Sequence, residues 1–248
     1  MNVLITGATS GIGRQLALDY VAAGHHVIAC GRNIKKLTEL TNEVPDASHI
    51  TTAVFDVTNH QQTQAVLQDT LTQLAEPLDV AILNAGVCEY VDDARKFEVA
   101  LVERVFAANF FGVVNCISAL LTKLQKGSKL VVVDSMARQF PFTRAEAYGA
   151  SKAAVHYFAS ALRTDIVDTG IQVITVSPGF VKTPMTDAND FEMPMRISVA
   201  EASQAMRKGI AKGKAHIAFP SVFGFILASL QRLPYRVQIA LSKRMRNH

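Results

Sequence analysis

Short runs of consecutive apolar residues alternate along the chain with stretches of helical period. Val3-Leu4-Ile5 reads as a strand, followed by a glycine-rich turn and a helical pattern through Ala23, with Gly24 just past the helix end, where glycine is favoured. Val27-Ile28-Ala29-Cys30 is a second strand and Asn33 caps a short helix after it; Thr52-Ala53-Val54-Phe55 is a third. Thr58 and Gln61 have the spacing of a capping box. A fourth strand, 79–83, follows the breaker Pro77; a long helical stretch covers 99–124, and a fifth strand 129–133. A helix over 148–168 is stopped by Gly170, a sixth strand covers 171–176, and Ser198 with Glu201 forms a second capping box opening a helix to Lys212. His216-Ile217-Ala218-Phe219 is the last strand. Strands that are apolar throughout, instead of alternating with polar residues, are buried on both faces, and their alternation with helices predicts a parallel sheet in an α/β chain. With no internal repeat, low-complexity tract or linker, residues 1–248 are expected to form one domain.

Composition narrows the picture. Among 248 residues, 49% are hydrophobic and 19% charged, which excludes a disordered chain. Cys30, Cys88 and Cys116 are too few and too scattered for a disulfide framework, and none forms a CxxC pair; a reducing compartment fits. The seven histidines show no metal-ligand spacing, so no metal is expected. The net charge of +4 resides in the tail: residues 220–248 carry Arg232, Arg236, Lys243, Arg244 and Arg246 and no acid, leaving 20 basic against 21 acidic side chains elsewhere. A nucleic-acid-binding surface is therefore not expected. The sequence shows no targeting segment before the first strand and no apolar run of spanning length, the longest candidate being 222–230; a cytoplasmic location is expected.

Chemistry enters at the first turn. Thr6-Gly7-Ala8-Thr9-Ser10-Gly11-Ile12-Gly13 places three glycines between a strand and a helix, where the backbone must turn tightly and approach a ligand with no Cβ in the way. The helix N-terminus behind them offers free N–H groups and a positive dipole end to a phosphate. At the end of the second strand, where dinucleotide folds that prefer NAD carry an acid, the sequence is Cys30-Gly31-Arg32-Asn33. A carboxylate there would repel a 2′-phosphate, whereas an arginine offers a forked, charged donor set. NADP(H) is expected over NAD, with Arg32 as the main contact and Arg14 as a second candidate.

Tyr148 and Lys152 stand four apart at the start of a helix, on one face. A free tyrosine, with a pKa near 10, is a poor acid–base catalyst at neutral pH; a neighbouring ammonium is expected to lower it. Ser135 follows the fifth strand, at the sheet edge where open α/β folds bind ligands.

As a set these residues resemble the short-chain dehydrogenase/reductase family. The glycine motif, Asn84-Ala85-Gly86 after the fourth strand, Ser135, Tyr148 with Lys152, Pro178-Gly179 and Asn109 in the long helix match that family's motifs in order and spacing, over about residues 1–184. The resemblance implies a Rossmann-type doubly wound parallel sheet with helices on both faces, with 1–184 as cofactor and catalytic core and 185–248 as substrate lid and basic amphipathic segment. It implies interconversion of a carbonyl and an alcohol. Tyr148 would be the acid/base, Lys152 would tune it and bind the nicotinamide ribose, Ser135 would polarise the carbonyl, and Asn109 would hold a water leading from Lys152 to solvent. The cofactor contacts it implies are Gly7, Thr9, Ser10, Gly11, Ile12, Gly13, Arg32, Asn33, Asp56, Val57, Asn84, Ala85, Gly86, Tyr148, Lys152, Pro178, Gly179, Val181 and Thr183. It also implies a homodimer or homotetramer.

Two positions depart from the family pattern: Leu83 stands where a second asparagine is common, and Asp134 where a small residue is; neither is expected to touch the chemistry. Substrate choice is assigned to 136–143, 88–92 and 184–195, whose Tyr90, Phe140, Phe142, Phe191, Met193 and Met195 either line an apolar pocket for a hydrophobic substrate or simply pack the lid. The basic C-terminal segment has two readings, a helix packed on the body or a second subunit, and a helix at an anionic membrane surface. The rival to an enzyme is a non-catalytic NADP-binding redox-sensing regulator, which would not need Asn109, Ser135, Tyr148 and Lys152 together.

Overall fold

A computed structural model describes residues 1–96, 98–187 and 192–246. Seven strands form one parallel sheet: β1 (Asn2–Thr6), β2 (His26–Gly31), β3 (Ile50–Val54), β4 (Leu78–Leu83), β5 (Lys129–Val133), β6 (Gln172–Pro178) and β7 (His216–Phe219), in the order β3-β2-β1-β4-β5-β6-β7. Between and after them run α1 (Gly11–Ala22), α2 (Ile34–Glu43), α3 (His60–Thr72), α4 (Val99–Phe106), α5 (Gly112–Leu120), α6 (Glu146–Asp165), α7 (Pro184–Asp187), α8 (Val199–Ala211), α9 (Ser221–Leu230) and α10 (Tyr235–Arg246).

Alternate residues of each strand feed two separate cores. Val3 and Ile5 of β1 pack with Leu16 and Tyr20 of α1, Leu37 of α2 and Met206 of α8. Leu4 points the other way, into Leu67 of α3, Leu120 of α5 and Val155 of α6. Because both faces are covered, neither face of a strand tolerates a polar residue; truncating a fully buried leucine such as Leu4 or Leu16 to alanine costs about 2–5 kcal/mol. Strand order reverses between β1 and β4, which opens a crevice at the carboxyl ends of the strands.

Local details differ from expectation in two places. The expected Thr58/Gln61 capping box is absent: Asn59 caps α3 by accepting from Gln62 N–H, because Thr58 is already committed to Asp56, giving it both its N–H (2.9 Å) and its hydroxyl (2.8 Å). The stretch Val99–Lys123 forms 25 continuous helical residues, long and apolar enough to cross a membrane by length and composition, which the sequence reading excluded. Here its apolar side serves the fold, α5 packing against α3 and β4 and α4 against α6. A π turn over Ala107–Phe111 separates α4 from α5. The second capping box, Ser198 with Glu201, opens α8 as expected, and Asn33 caps α2 by accepting from Lys36 N–H.

Candidate active site

The crevice is walled by the segments leaving six strands together with the first turns of α6, and holds about 1340 Å³ of empty space counting its open mouth. Gly7 takes a left-handed conformation (φ +70°), and a Cβ on it would lie 2.9 Å from Ala85 Cα. Thr6 clamps the two segments: its Oγ1 accepts from Asn84 N–H and Ala85 N–H, each at 3.0 Å, and its carbonyl accepts from Asn84 Nδ2 at 3.2 Å. Thr6 was not among the expected site residues; the signal for it was only its place at the end of β1. Ser10 is the N-cap of α1 but makes no side-chain cap, and Thr9, Ser10, Gly11 and Ile12 line the crevice, so the helix opens its dipole end onto it. Gly13 does not line the wall. It lies beneath the loop, where a Cβ would strike the Gly7 carbonyl oxygen and come within 2.6 Å of Asn84 Nδ2.

Arg32 and Asp56 close one end of the crevice, their side chains 3.3 Å apart. Partial burial works against the Asp56 carboxylate, but hydrogen bonds from Thr58 and then Arg32 outweigh it and hold its pKa below the usual range. Val57 lines the same end. Arg14, the second candidate for a 2′-phosphate, pairs instead with Glu43 of α2 and is not part of the wall. Asn33 is likewise outside it, its side chain being used as the cap of α2.

Ser135, Tyr148 and Lys152 converge at the other end, with Asn84, Ala85, Gly86, Pro178, Gly179, Val181 and Thr183 completing the wall. Ser135 caps a short turn by accepting from Ala137 N–H (3.1 Å), and its side chain is hydrogen-bonded to the Tyr148 hydroxyl. Lys152 is buried, its Nζ donating to Val133 O at 3.0 Å and lying 6.0 Å from the Tyr148 ring centroid. Burial lowers the Lys152 pKa to about 8. For Tyr148, burial raises the pKa above its ordinary 10, Cys88 and Asp134 add to the rise, and the bond to Ser135 only partly offsets it. The expectation of a phenol made more acidic by Lys152 is thus reversed in the protein alone: the enclosure disfavours both charged forms, and the ammonium is engaged with a backbone carbonyl.

Asn109, expected to join these residues, sits fully buried in the π turn and outside the wall. Its Oδ1 accepts from Val87 N–H (2.8 Å), and its Nδ2 donates to Val87 O (2.9 Å) and Ser151 Oγ (3.0 Å). It is nonetheless close to the group, since a Cβ on Gly86 would stand 2.8 Å from Asn109 Oδ1 and 3.3 Å from Lys152 Nζ. π turns recur at functional sites, and this one swings the amide toward the segment after β4.

Asp134 overturns a second expectation. Its wholly buried carboxylate lines the crevice, accepts from His156 Nδ1 (2.6 Å) and from the Ser177 hydroxyl, and faces Arg138 Nε at 3.5 Å. Its negative charge raises the pKa of both Tyr148 and Lys152. Leu83, the other departure from the family pattern, is a core residue.

On the substrate side, Pro184, Met185 and Thr186 of α7 line the crevice, and Arg196 fixes that segment by pairing with Asp187 and donating to Thr186 Oγ1 (2.9 Å). Phe140 packs instead against Met136, Phe223 and Leu227, with Phe142 edge-on to it at 5.4 Å. Among the described residues, Tyr90, Phe142, Met193 and Met195 also lie outside the wall; Phe191 lies outside the described residues.

Comparison with known proteins agrees with this arrangement. The family model for short chain dehydrogenases matches residues 1–193. An uncharacterized oxidoreductase of Myxococcus xanthus is 34% identical, over 98% of this chain and 96% of the relative. The NADP-dependent 3-hydroxy acid dehydrogenase YdfG of Shigella flexneri is 33% identical over 73% of each. The closed form of a serine dehydrogenase complexed with NADP+ superposes with a TM-score of 0.76 at 26% identity, covering 88% of this chain and 94% of that one.

Proposed function

The chain belongs to the short-chain dehydrogenase family, and from that premise we propose that it is an NADP(H)-dependent oxidoreductase interconverting a carbonyl and an alcohol, with Tyr148 as its acid/base. The observation that carries the reading is the convergence of Ser135, Tyr148 and Lys152 in the crevice that also holds the glycine loop. NADP-dependent YdfG and the NADP+ complex of serine dehydrogenase support the choice of dinucleotide, as does Arg32 at the ribose end, where an acid would repel a 2′-phosphate.

The residues fit such a group. The uncapped N-terminus of α1 suits its pyrophosphate, Arg32 its 2′-phosphate, Asp56 and Val57 its adenine end, and Lys152, Asn84, Gly86 and Thr183 its nicotinamide end. When bound, the dinucleotide supplies or accepts the hydride. Ser135 positions the substrate oxygen by hydrogen bonding, beside the Tyr148 hydroxyl. Because the Tyr148 pKa is raised, the phenol is protonated at neutral pH and has a proton to give to a carbonyl oxygen, which favours reduction; Lys152, with a pKa of about 8, is largely an ammonium there and supports the phenolate left behind. Asn109 anchors the segment around Val87 against α6. We read 1–184 as the cofactor and catalytic part and 185–248 as lid and C-terminal segment. Val87 and Met185 in the wall favour an apolar substrate body, and exposed Val99, Phe111 and Tyr157 favour self-association along α4 to α6.

The test is NADPH consumption against a panel of ketones and aldehydes graded in size and polarity, with NADH in parallel. Turnover with NADPH on at least one apolar carbonyl is expected. Dinucleotide binding with no turnover on any of them would overturn the enzyme reading in favour of a redox-sensing binder.

A further inference from the structure

Residues 220–248 contain five basic side chains and no acid, while the rest of the chain is nearly balanced, and the catalytic reading gives this segment no task. The structure divides it into two faces. On α9 the inward side is Phe223, Gly224 and Leu227, with Leu230 behind them, packed on Met136 and Phe140 of the segment that follows Ser135. On α10 the inward side is Gln238, Leu241 and Ser242: Gln238 Nε2 donates to Gln231 O and Leu233 O, Leu241 joins the Phe140 cluster, and the Ser242 hydroxyl donates to Pro141 O. The packed reading of the tail therefore holds for one side of each helix.

The opposite sides are bare. Val222, Phe225, Ile226 and Ser229 follow one another at helical spacing on α9, with Phe225 74% and Val222 60% exposed. Leu233 and Tyr235 continue the apolar surface across the turn at Pro234, Tyr235 being 70% exposed. On α10 the outward side is Arg236, Ile239, Ala240 and Lys243, with Arg232 and Arg244 exposed at its margins. Large apolar residues that the fold leaves in water, interleaved with cations and with no anion among them, specify what covers them.

We propose that this face docks on an anionic lipid bilayer, its apolar residues entering the headgroup region and its arginines and lysine pairing with lipid phosphates. The pattern is that of an interfacial amphipathic surface, with aromatic side chains at the level where bilayer interfaces favour them. Charge argues against a second copy as occupant: a two-fold contact would set the cations of one tail against those of the other, with no acid in either to answer them. A nucleic acid would leave Val222, Phe225 and Ile226 without apolar partners. Since α9 rests on the segment after Ser135, docking would hold the crevice close to the membrane, in reach of carbonyl compounds dissolved there.

Flotation of the purified full-length protein with phosphatidylcholine vesicles, with and without phosphatidylglycerol, tests this without any reference to turnover. Binding to the phosphatidylglycerol-containing vesicles at low salt, weakened by added salt and absent with phosphatidylcholine alone, is expected. Neutralising Arg232 and Arg236 (Arg232→Gln, Arg236→Gln) should weaken partitioning about fivefold for each arginine. Phe225→Ser should also release the protein while leaving thermal unfolding unchanged, because that side chain makes little packing contact. No association with phosphatidylglycerol vesicles overturns the proposal. So does a wild-type oligomer that Phe225→Ser dissociates while vesicle binding is absent, which would assign the face to a second copy, or heparin binding without vesicle binding, which would assign it to another polyanion.

Discussion

Replacing Lys152 with methionine turns the buried ammonium into a measurable quantity. In the folded protein Lys152 has a pKa of about 8 against 10.5 for a free lysine, a depression caused mainly by burial. The sign follows from proton binding: between about pH 8 and 10.5 the unfolded chain holds a proton that the folded chain has released, so stability rises with pH across that window. Below pH 8 the charged side chain is buried at full cost, about 3 kcal/mol from the 1.36 kcal/mol per pKa unit. Methionine has a similar reach and no charge, so it removes this cost but leaves Val133 O without the donor now 3.0 Å away, a loss of about 1–3 kcal/mol. At pH 7 the two effects nearly cancel, and the variant should match or slightly exceed the wild type in stability. Raising the pH from 7 to 10 should then stabilise the wild type relative to Lys152→Met by about 2–3 kcal/mol. The assay is urea unfolding followed by circular dichroism at both pH values, without cofactor; taking the difference between the two proteins cancels every other titrating group that they share. A difference independent of pH, or one that moves in favour of the variant, would refute the burial argument and with it the account of how Tyr148 and Lys152 share the crevice.

Two further substitutions probe the surroundings. Asp134→Asn leaves His156 and Arg138 facing a neutral group and should destabilise the fold by about 3 kcal/mol in chemical denaturation. In a rate–pH profile it should also move the alkaline limb to lower pH, since the lost anion was raising the pKa of Lys152; an unmoved limb would remove Asp134 from the electrostatics of the site. Arg32→Asp should weaken NADPH binding by about 10- to 100-fold, from the loss of a charged hydrogen-bond pair, and leave NADH binding intact or improved; titration of reduced-nicotinamide fluorescence decides, and an unchanged preference would discard Arg32 as the phosphate contact.

Much of this arrangement is legible in the chain because it rests on local rules. Wholly apolar runs such as Val3-Leu4-Ile5 identify strands buried on both faces, and Ser198 with Glu201 or Asn33 alone suffices to start a helix. The glycine loop is equally local, since Gly7 must adopt a left-handed conformation. What escaped the sequence depends on partners far away in the chain. Asp134 acquires its meaning only through His156 and Ser177, 22 and 43 residues away, and Arg14 is withdrawn from the phosphate site by Glu43 on the next helix. Thr58 could not be recognised as spent on Asp56, because Asn59 and Thr58 are both good caps and the choice is made by the folded turn. Spacing places Tyr148 and Lys152 on one helical face but says nothing of how dry that face becomes, and dryness sets the direction of both pKa shifts.

The central claim, that Tyr148 moves the proton, is tested most directly by Tyr148→Phe, which deletes one hydroxyl and keeps the ring. NADPH binding measured by fluorescence should be unchanged, while carbonyl-dependent NADPH consumption falls by at least about a hundredfold. Consumption at the wild-type rate with the phenylalanine in place would contradict it.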